Sequence, residues 1–561
     1  MAGQAGLRLL RGALIVNETS TTRLSGVTGG EVVVAALALH DVHVVFGIPG
    51  THNLSVFDAL TRYGIRTVAT THEQGAGYAA DGYARTSGLP GVAVVTSGPA
   101  VYNAATAVAQ AYSDSIPMLL ISPGMPRTLP VGGPGNGYLH EAKDQTGAMD
   151  RIAARCLRAT THQHIADLVA EAFTAFSGGR QRPLHLEVPL DLLDELGDAE
   201  LRSASQIDPV RPDTAAIAEA ARRLSVAVRP VVVAGGGARR ASQDLTAVVE
   251  RLAAPVVTTI NGKGAVDEKH ALSLGTRLGT SAAMTAANEA DALLLVGTEV
   301  GNSDLWQGML APKGHVIRVD IDPRMADVNV KANTMLVGDA AAVLRELDAA
   351  LADLHVEGRV IPGWARRLRA ETTAETESAG SAWQPWMEAI DAARDADAVV
   401  ATDNAMCVYF GAIPALAMRA PGSFHFPTGF GTLGFTVPVA VGAALAAPER
   451  QVIGISGDGG LLFTVTELAV AAAEQLSMAI VVFDNSGYGE IRAEMLERDE
   501  KPLAVDAPPR DLVMLAQSLG AHATRVATPA DLTTELVASR DRVGPTVLVV
   551  PEPAPPEGSA R

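Results

Sequence analysis

Cysteine is almost absent: the chain has two, Cys156 and Cys407, in different expected domains. That excludes a disulfide framework and a cysteine-rich zinc site, and it fits a reducing cytoplasm. Aromatic residues reach only 4% while hydrophobic residues reach 48%, so Ala-, Val- and Leu-rich layers of helix and sheet are expected rather than aromatic sandwiches. Positive charge is outweighed, with a net charge of -18. A nucleic-acid partner needs clustered Lys and Arg against its phosphates, so that class is set aside. No uninterrupted apolar run approaches a membrane-spanning length, and no short repeat is present. The start, MAGQAGLRLLRGALIVNETSTTRLSG, has its apolar run broken by Arg8 and Arg11 and lacks a clean small-x-small cleavage site. It reads as a flexible extension over residues 1–27, not a signal peptide.

What remains is long and regular. At 561 residues the chain exceeds one core and suggests three domains. Apolar runs of strand length, HVVFGI (43–48), GVAVVTS (91–97) and PMLLIS (117–122), alternate with Ala-rich helical windows at 73–86 and 102–114. Continuous apolar strands alternating with helices indicate parallel sheets covered on both faces. The expected fold class is α/β, three doubly wound parallel-sheet domains at residues 28–195, 210–355 and 380–553. Polar segments at 197–214 and 356–383 read as junctions, and APPEGSAR (554–561) as a disordered tail.

The run GDGGLLFTVTELAVAAAEQLSMAIVVFDN (457–485) carries the clearest chemistry. QVIGIS (451–456) predicts a strand, Gly457 to Gly460 a turn, Thr464 to Gln475 a helix and MAIVVFDN (478–485) the next strand. Ligands of open parallel sheets sit beyond the carboxyl ends of the strands, so the crossover brings Asp458 and Asn485 together. Their oxygens suit a hard divalent cation of the magnesium type, with the carbonyl of Gly487 as a third donor. Gly457, Gly459 and Gly460 let backbone amides approach an anion. A glycine-rich turn alone is ordinarily just a turn; the asparagine one strand later makes a metal-diphosphate site the better reading.

GDG followed by such an asparagine resembles the signature of thiamine diphosphate enzymes, most closely the acetolactate synthase, pyruvate oxidase and benzoylformate decarboxylase group. The likeness runs from Thr28 to Pro551, although Asp484 stands where many members have asparagine. It implies pyrimidine-binding, central and diphosphate-binding domains in that order. It implies that Glu73, in HEQGAGYAADGYAR, is the carboxylate at N1′ of the cofactor pyrimidine; otherwise Glu73 would be an ordinary helix-capping acid. It further implies Leu433 as the wedge that bends the cofactor, with Gly431, Asn404, Ala405 and Pro49 around the cofactor. Ala100 replaces the last glycine of a TSGPG-type loop.

On the substrate side the resemblance points to His52 as a proton-transfer group, a role its neutral-range pKa suits. A histidine on such a loop is otherwise a surface hydrogen bonder. Thr51, His72, Gly98, His140, Tyr488 and Glu490 complete the expected pocket, His72 being better suited to a structural role. GIPGTHNL, GYLHEAKDQ, VGTEVGNSDLW and NSGYGEIR look most like the 5-guanidino-2-oxopentanoate decarboxylase branch. Glu141, Asp144 and Glu490 are candidate neighbours for its cationic side chain.

The implied reaction is decarboxylation of a 2-oxo acid through a carbanion-enamine, with thiamine diphosphate and Mg2+. The alternative is an acetolactate-synthase-like carboligase that joins the enamine to a second carbonyl. FAD at GGGAR (235–239) is a further alternative that is not favoured. The family builds its site between subunits, so a homodimer or homotetramer is expected, in the cytoplasm, without a nucleic-acid or membrane partner.

Overall fold

Three six-stranded sheets, each wholly parallel, organise the described residues of the computed structural model, which are 21–129, 135–306, 308–354, 356 and 360–553. The first sheet runs in the order Arg66–Ala69, Val44–Gly47, Gly91–Val94, Met118–Gly124, Leu184–Pro189, Arg155–Arg158. The second runs Ser273–Gly275, Val256–Thr258, Pro230–Ala234, Ala292–Val296, His315–Asp320, Thr334–Val337. The third runs Phe424–His425, Val399–Thr402, Val452–Gly457, Met478–Asp484, Thr546–Pro551, His522–Arg525. Gly91–Val94, Pro230–Ala234 and Val399–Thr402 are buried at every position, as the continuous apolar runs require when helices cover both faces.

The three sheets are distributed over two compact units. The first takes the residues up to Asp208 with Val441–Ala446 and Thr466–Glu474; the second takes Pro209–Ala440, Ala447–Val465 and the residues from Gln475 on. In the first, Val32, Val45, Leu119, Ile121, Val169 and Leu186 share one core. The second holds both remaining sheets, and a buried ion pair helps to join them. Lys263 Nζ donates to Glu268 at 2.7 Å and to the Ile413 carbonyl at 2.8 Å, while Glu268 accepts the Met418 amide at 2.7 Å. A buried pair with further hydrogen bonds on both partners leaves little unpaired charge.

Three boundaries differ from the sequence reading. Residues 21–27 of the expected extension belong to a strand, Thr21–Thr28, paired antiparallel with Leu196–Arg202. That pairing also shortens the expected junction at 197–214, and the rest of the extension lies outside the described residues. The second junction contains a helix, Trp364–Gly380, whose Leu368 packs into the core around Leu293 and Leu295. The expected tail, 554–561, also lies outside the described residues.

Candidate active site

At the carboxyl end of the third sheet, Val452–Gly457 leads directly into a helix, Asp458–Thr464, with Gly457 as its extended N-cap. The expected turn is therefore already helical, and a second helix, Glu467–Ala473, follows in place of one running from Thr464 to Gln475. Close packing explains the glycines. A Cβ at Gly459 would lie 3.0 Å from the Gly487 carbonyl oxygen, and one at Gly460 would lie 2.9 Å from an Asp403 carboxylate oxygen.

The crossover brings the expected metal ligands together. The Asn485 amide donates to Asp458 Oδ1 at 3.3 Å, and Asn485 Oδ1 accepts the Gly487 amide at 3.1 Å. Gly487 is held by a bridge to Asp506, with the Tyr488 amide donating to the Val505 carbonyl at 2.8 Å. Asp458 is fully buried, and burial pushes its carboxyl up while the Asn485 amide and Arg510 oppose the shift. The Arg510 guanidinium pairs with Asp458 Oδ2, so a cation is already accommodated at this carboxylate. A carboxylate, a carboxamide oxygen and a carbonyl oxygen at adjacent strand ends fit a magnesium-type ion beside a diphosphate.

The expected wedge lies in the same unit. Half-buried Leu433 sits between Gly431 and Gly434, whose φ of +68° and +80° favour glycine. Asn404 donates from Nδ2 to the Thr432 carbonyl at 2.8 Å and accepts from the Tyr409 hydroxyl at 3.0 Å, so its side chain holds the wedge segment. Ala405 packs 3.3 Å from where a Gly457 Cβ would stand. Buried Asp403, which the sequence reading missed, accepts the Gly434 and Phe435 amides at 2.9 and 3.1 Å. Tyr488 is exposed, and Glu490 lies in the first turn of the helix Gly489–Glu497.

The first unit carries the other expected residues. Glu73 is the first residue of the helix Glu73–Ser87, but the cap is His72, whose Nδ1 accepts the Gln74 amide at 3.1 Å. The Glu73 carboxylate is thereby released from capping and accepts from Asn103 Nδ2 at 2.9 Å. Beneath this turn lies Glu467, also missed. Buried, it accepts the Thr71 and His72 amides, both at 3.1 Å, and the Thr71 hydroxyl at 2.6 Å. Burial raises its pKa against those donors. The available signal was one carboxylate in the otherwise apolar helix ELAVAAA.

His52 occupies the short 3-10 turn Thr51–Asn53, with exposed Pro49 and Thr51 beside it. Its Nδ1 lies 2.6 Å from Ser97 Oγ, and its ring centroid 5.0 Å from that of His140. Burial, then the neighbouring His140, lowers its pKa. Gly98, at φ +63°, donates its amide to Gln145 Oε1 at 2.8 Å. Glu141 and Asp144 serve the backbone instead of an open pocket. Glu141 accepts the Asn136 and Tyr138 amides, and Asp144 caps the helix Gln145–Asp150.

Elsewhere in the second unit a cavity of about 300 Å³ is lined by Thr258, Thr276, Arg277, Trp306 and Tyr409 among others. Two glycines of GGGAR pack at close range: a Cβ on Gly235 would lie 2.3 Å from the Gly297 carbonyl oxygen, and one on Gly237 would lie 2.9 Å from the Gly297 Cα. No helix among the described residues is long and apolar enough to cross a membrane.

Three family models match the chain in order: the N-terminal TPP binding domain of thiamine pyrophosphate enzymes at residues 27–148, their central domain at 217–347 and their C-terminal TPP binding domain at 407–550. The chain is 41% identical over 511 residues to the probable 2-ketoarginine decarboxylase AruI of Pseudomonas aeruginosa, covering 90% of both. It is 33% identical over 538 residues to the acetolactate synthase isozyme 2 large subunit of Escherichia coli, covering 93% of this chain and 95% of that one. Against the probable acetolactate synthase large subunit of Methanocaldococcus jannaschii it is 32% identical over 537 residues, covering 91% and 89%. With three α/β domains in this order and these whole-length relatives, the chain belongs to the thiamine pyrophosphate enzymes.

Proposed function

We propose that this protein is a thiamine diphosphate- and magnesium-dependent decarboxylase of 5-guanidino-2-oxopentanoate, acting in the cytoplasm as a homodimer or homotetramer. The carrying observation is the oxygen set of Asp458, Asn485 and Gly487, in a chain 41% identical to a probable 2-ketoarginine decarboxylase. When bound, the cofactor supplies the electron sink that lets the carboxylate leave as CO2.

The chain's own residues have separable tasks. Asp458, Asn485 and the Gly487 carbonyl would hold magnesium against the diphosphate, with Gly457, Gly459 and Gly460 giving it room. Leu433, kept in place through Asn404 and Asp403, would set the bend of the cofactor. Glu73 would hold a proton at pyrimidine N1′. His52 would deliver the proton that completes the aldehyde, with Thr51, His72, Gly98 and His140 of the same unit on the substrate side and Pro49 toward the cofactor. The oligomer is proposed on the family resemblance.

A second reading, an acetolactate-synthase-like carboligase, is favoured by the relatives of 32–33% identity. CO2 release and product analysis with magnesium and thiamine diphosphate, comparing 5-guanidino-2-oxopentanoate, pyruvate and benzoylformate, separate the two. The guanidino aldehyde without a coupled product is expected. Acetolactate or another hydroxyketone would move the reading to a carboligase, and silence on the guanidino acid would overturn the substrate.

A further inference from the structure

Ser97 stands between two histidines of the first unit. Its side chain is fully buried, with Oγ 2.6 Å from His52 Nδ1 and 3.4 Å from His140 Nδ1. The two rings meet edge to face, with centroids 5.0 Å apart.

The surrounding backbone fixes this arrangement. Asn53 accepts the Gly50 amide at 2.7 Å and donates to the Ile48 carbonyl at 3.2 Å, which locks the turn that carries His52. Ser97 follows the strand Gly91–Val94, and the next residue, Gly98, has no Cβ. One there would lie 2.4 Å from the His140 carbonyl oxygen and 2.8 Å from its Cβ, so glycine is what admits His140 so closely.

A hydroxyl has one proton and two lone pairs. Buried, Ser97 has both Nδ1 atoms within reach, so it can donate to one ring and accept from the other. If it donates to His140 Nδ1, its oxygen accepts from His52 Nδ1–H across the shorter contact. A histidine whose Nδ1 proton is so held takes up and gives its proton at Nε2.

We infer that Ser97 is a positioning residue that selects the Nδ1–H tautomer of His52, with His140 as the acceptor that orients the Ser97 hydroxyl. The inference rests on the role given to His52 above. In the step it serves, the proton on His52 Nε2 passes to the substrate carbon and the imidazolium becomes neutral imidazole. Solvent then returns one proton to Nε2. One proton is consumed for each CO2 released, as conversion of a 2-oxo acid anion to an aldehyde requires. The Nδ1–H to Ser97 bond and the Ser97 to His140 bond persist throughout.

Two readouts test it, one without substrate. Solid-state NMR of 15N-histidine-labelled protein should show His52 as the Nδ1–H tautomer, assigned by its loss in His52→Asn, and Ser97→Ala should convert it to a mixture. In the cofactor-loaded enzyme, Ser97→Ala should lower kcat at least about tenfold while KM stays within about threefold. Ser97→Thr, which keeps the hydroxyl, should recover most of that rate, and His140→Ala should lose it. Should Ser97→Ala fail to fold, Ser97→Thr and His140→Ala carry the kinetic arm. An Nε2–H tautomer in the wild type overturns the inference, as would equal losses in the Ala and Thr variants. An Nδ1–H tautomer together with silence on every acid tried supports the role of Ser97 and counts against the proposed substrate instead.

Discussion

Glu467 accepts the backbone amide of His72 at 3.1 Å, one residue before the carboxylate expected to activate the cofactor. The same oxygen takes the Thr71 amide and hydroxyl, and a Cβ on Gly75 would stand only 2.3 Å from it. The turn that launches the helix Glu73–Ser87 is thus held from below by one buried carboxylate. Glu467→Ala would strand two amides and open a hole. It should lower the thermal midpoint by about 4–8 °C, as about 2 kcal/mol does for a unit of this size. Differential scanning fluorimetry reads the shift, and a midpoint within a degree of wild type would refute the role.

Glu73→Gln keeps the bond from Asn103 possible but removes the carboxylate. Because His72, not Glu73, caps the helix, the change should leave the thermal midpoint nearly unmoved. Turnover should fall by about 10²- to 10⁴-fold, the range for a lost proton-transfer group. Unchanged kcat would remove Glu73 from the mechanism.

Arg510 neutralises Asp458, and a divalent cation at the same carboxylate must displace or share that guanidinium. Arg510→Ala should tighten binding of Mn2+, followed by electron paramagnetic resonance without thiamine diphosphate, by up to about tenfold, the equivalent of one charge-assisted hydrogen bond. Weaker binding would instead make Arg510 part of the support for the metal site.

His185 gives a pH signature. Fully buried between Ser122 Oγ at 2.8 Å and Cys156 Sγ at 3.1 Å, it is kept neutral, burial lowering its pKa to about 3. In the unfolded chain a histidine titrates near about 6.5, so below that pH the unfolded state binds the extra proton and the folded state does not. This contribution is complete above about pH 6.5 and is lost toward pH 3, with a limiting slope of about 1.4 kcal/mol per pH unit. The thermal midpoint should therefore fall on acidification from about pH 6.5 to 4.5, and less steeply in His185→Gln. Equal slopes for the two proteins would contradict a neutral buried imidazole.

Asp458 and Asn485 were legible because strand, crossover and next strand are local in sequence, and the strand-end rule needs nothing else. The wedge role of Leu433 is expected from resemblance alone, and what holds its segment was not legible: Asp403 reads as an ordinary loop acid until Gly434 and Phe435 fold back onto it. Glu467 and Ser97 escaped for the same reason, since their partners lie 395 and 43–45 positions away. The break between the helices Asp458–Thr464 and Glu467–Ala473 escaped because Thr466, which precedes the second helix, makes no side-chain cap bond and reads as one more residue of a continuous helix. The strand Thr21–Thr28 was hidden because its partner is a polar stretch that resembles a linker.

The first unit includes Val441–Ala446 and Thr466–Glu474. On the ribosome, therefore, the part of the protein that emerges first stays incomplete until most of the chain has been made. At about 5–20 residues per second, tens of seconds separate synthesis of its sheet from arrival of the segment that carries Glu467. During that interval the turn before Glu73 lacks its buried acceptor.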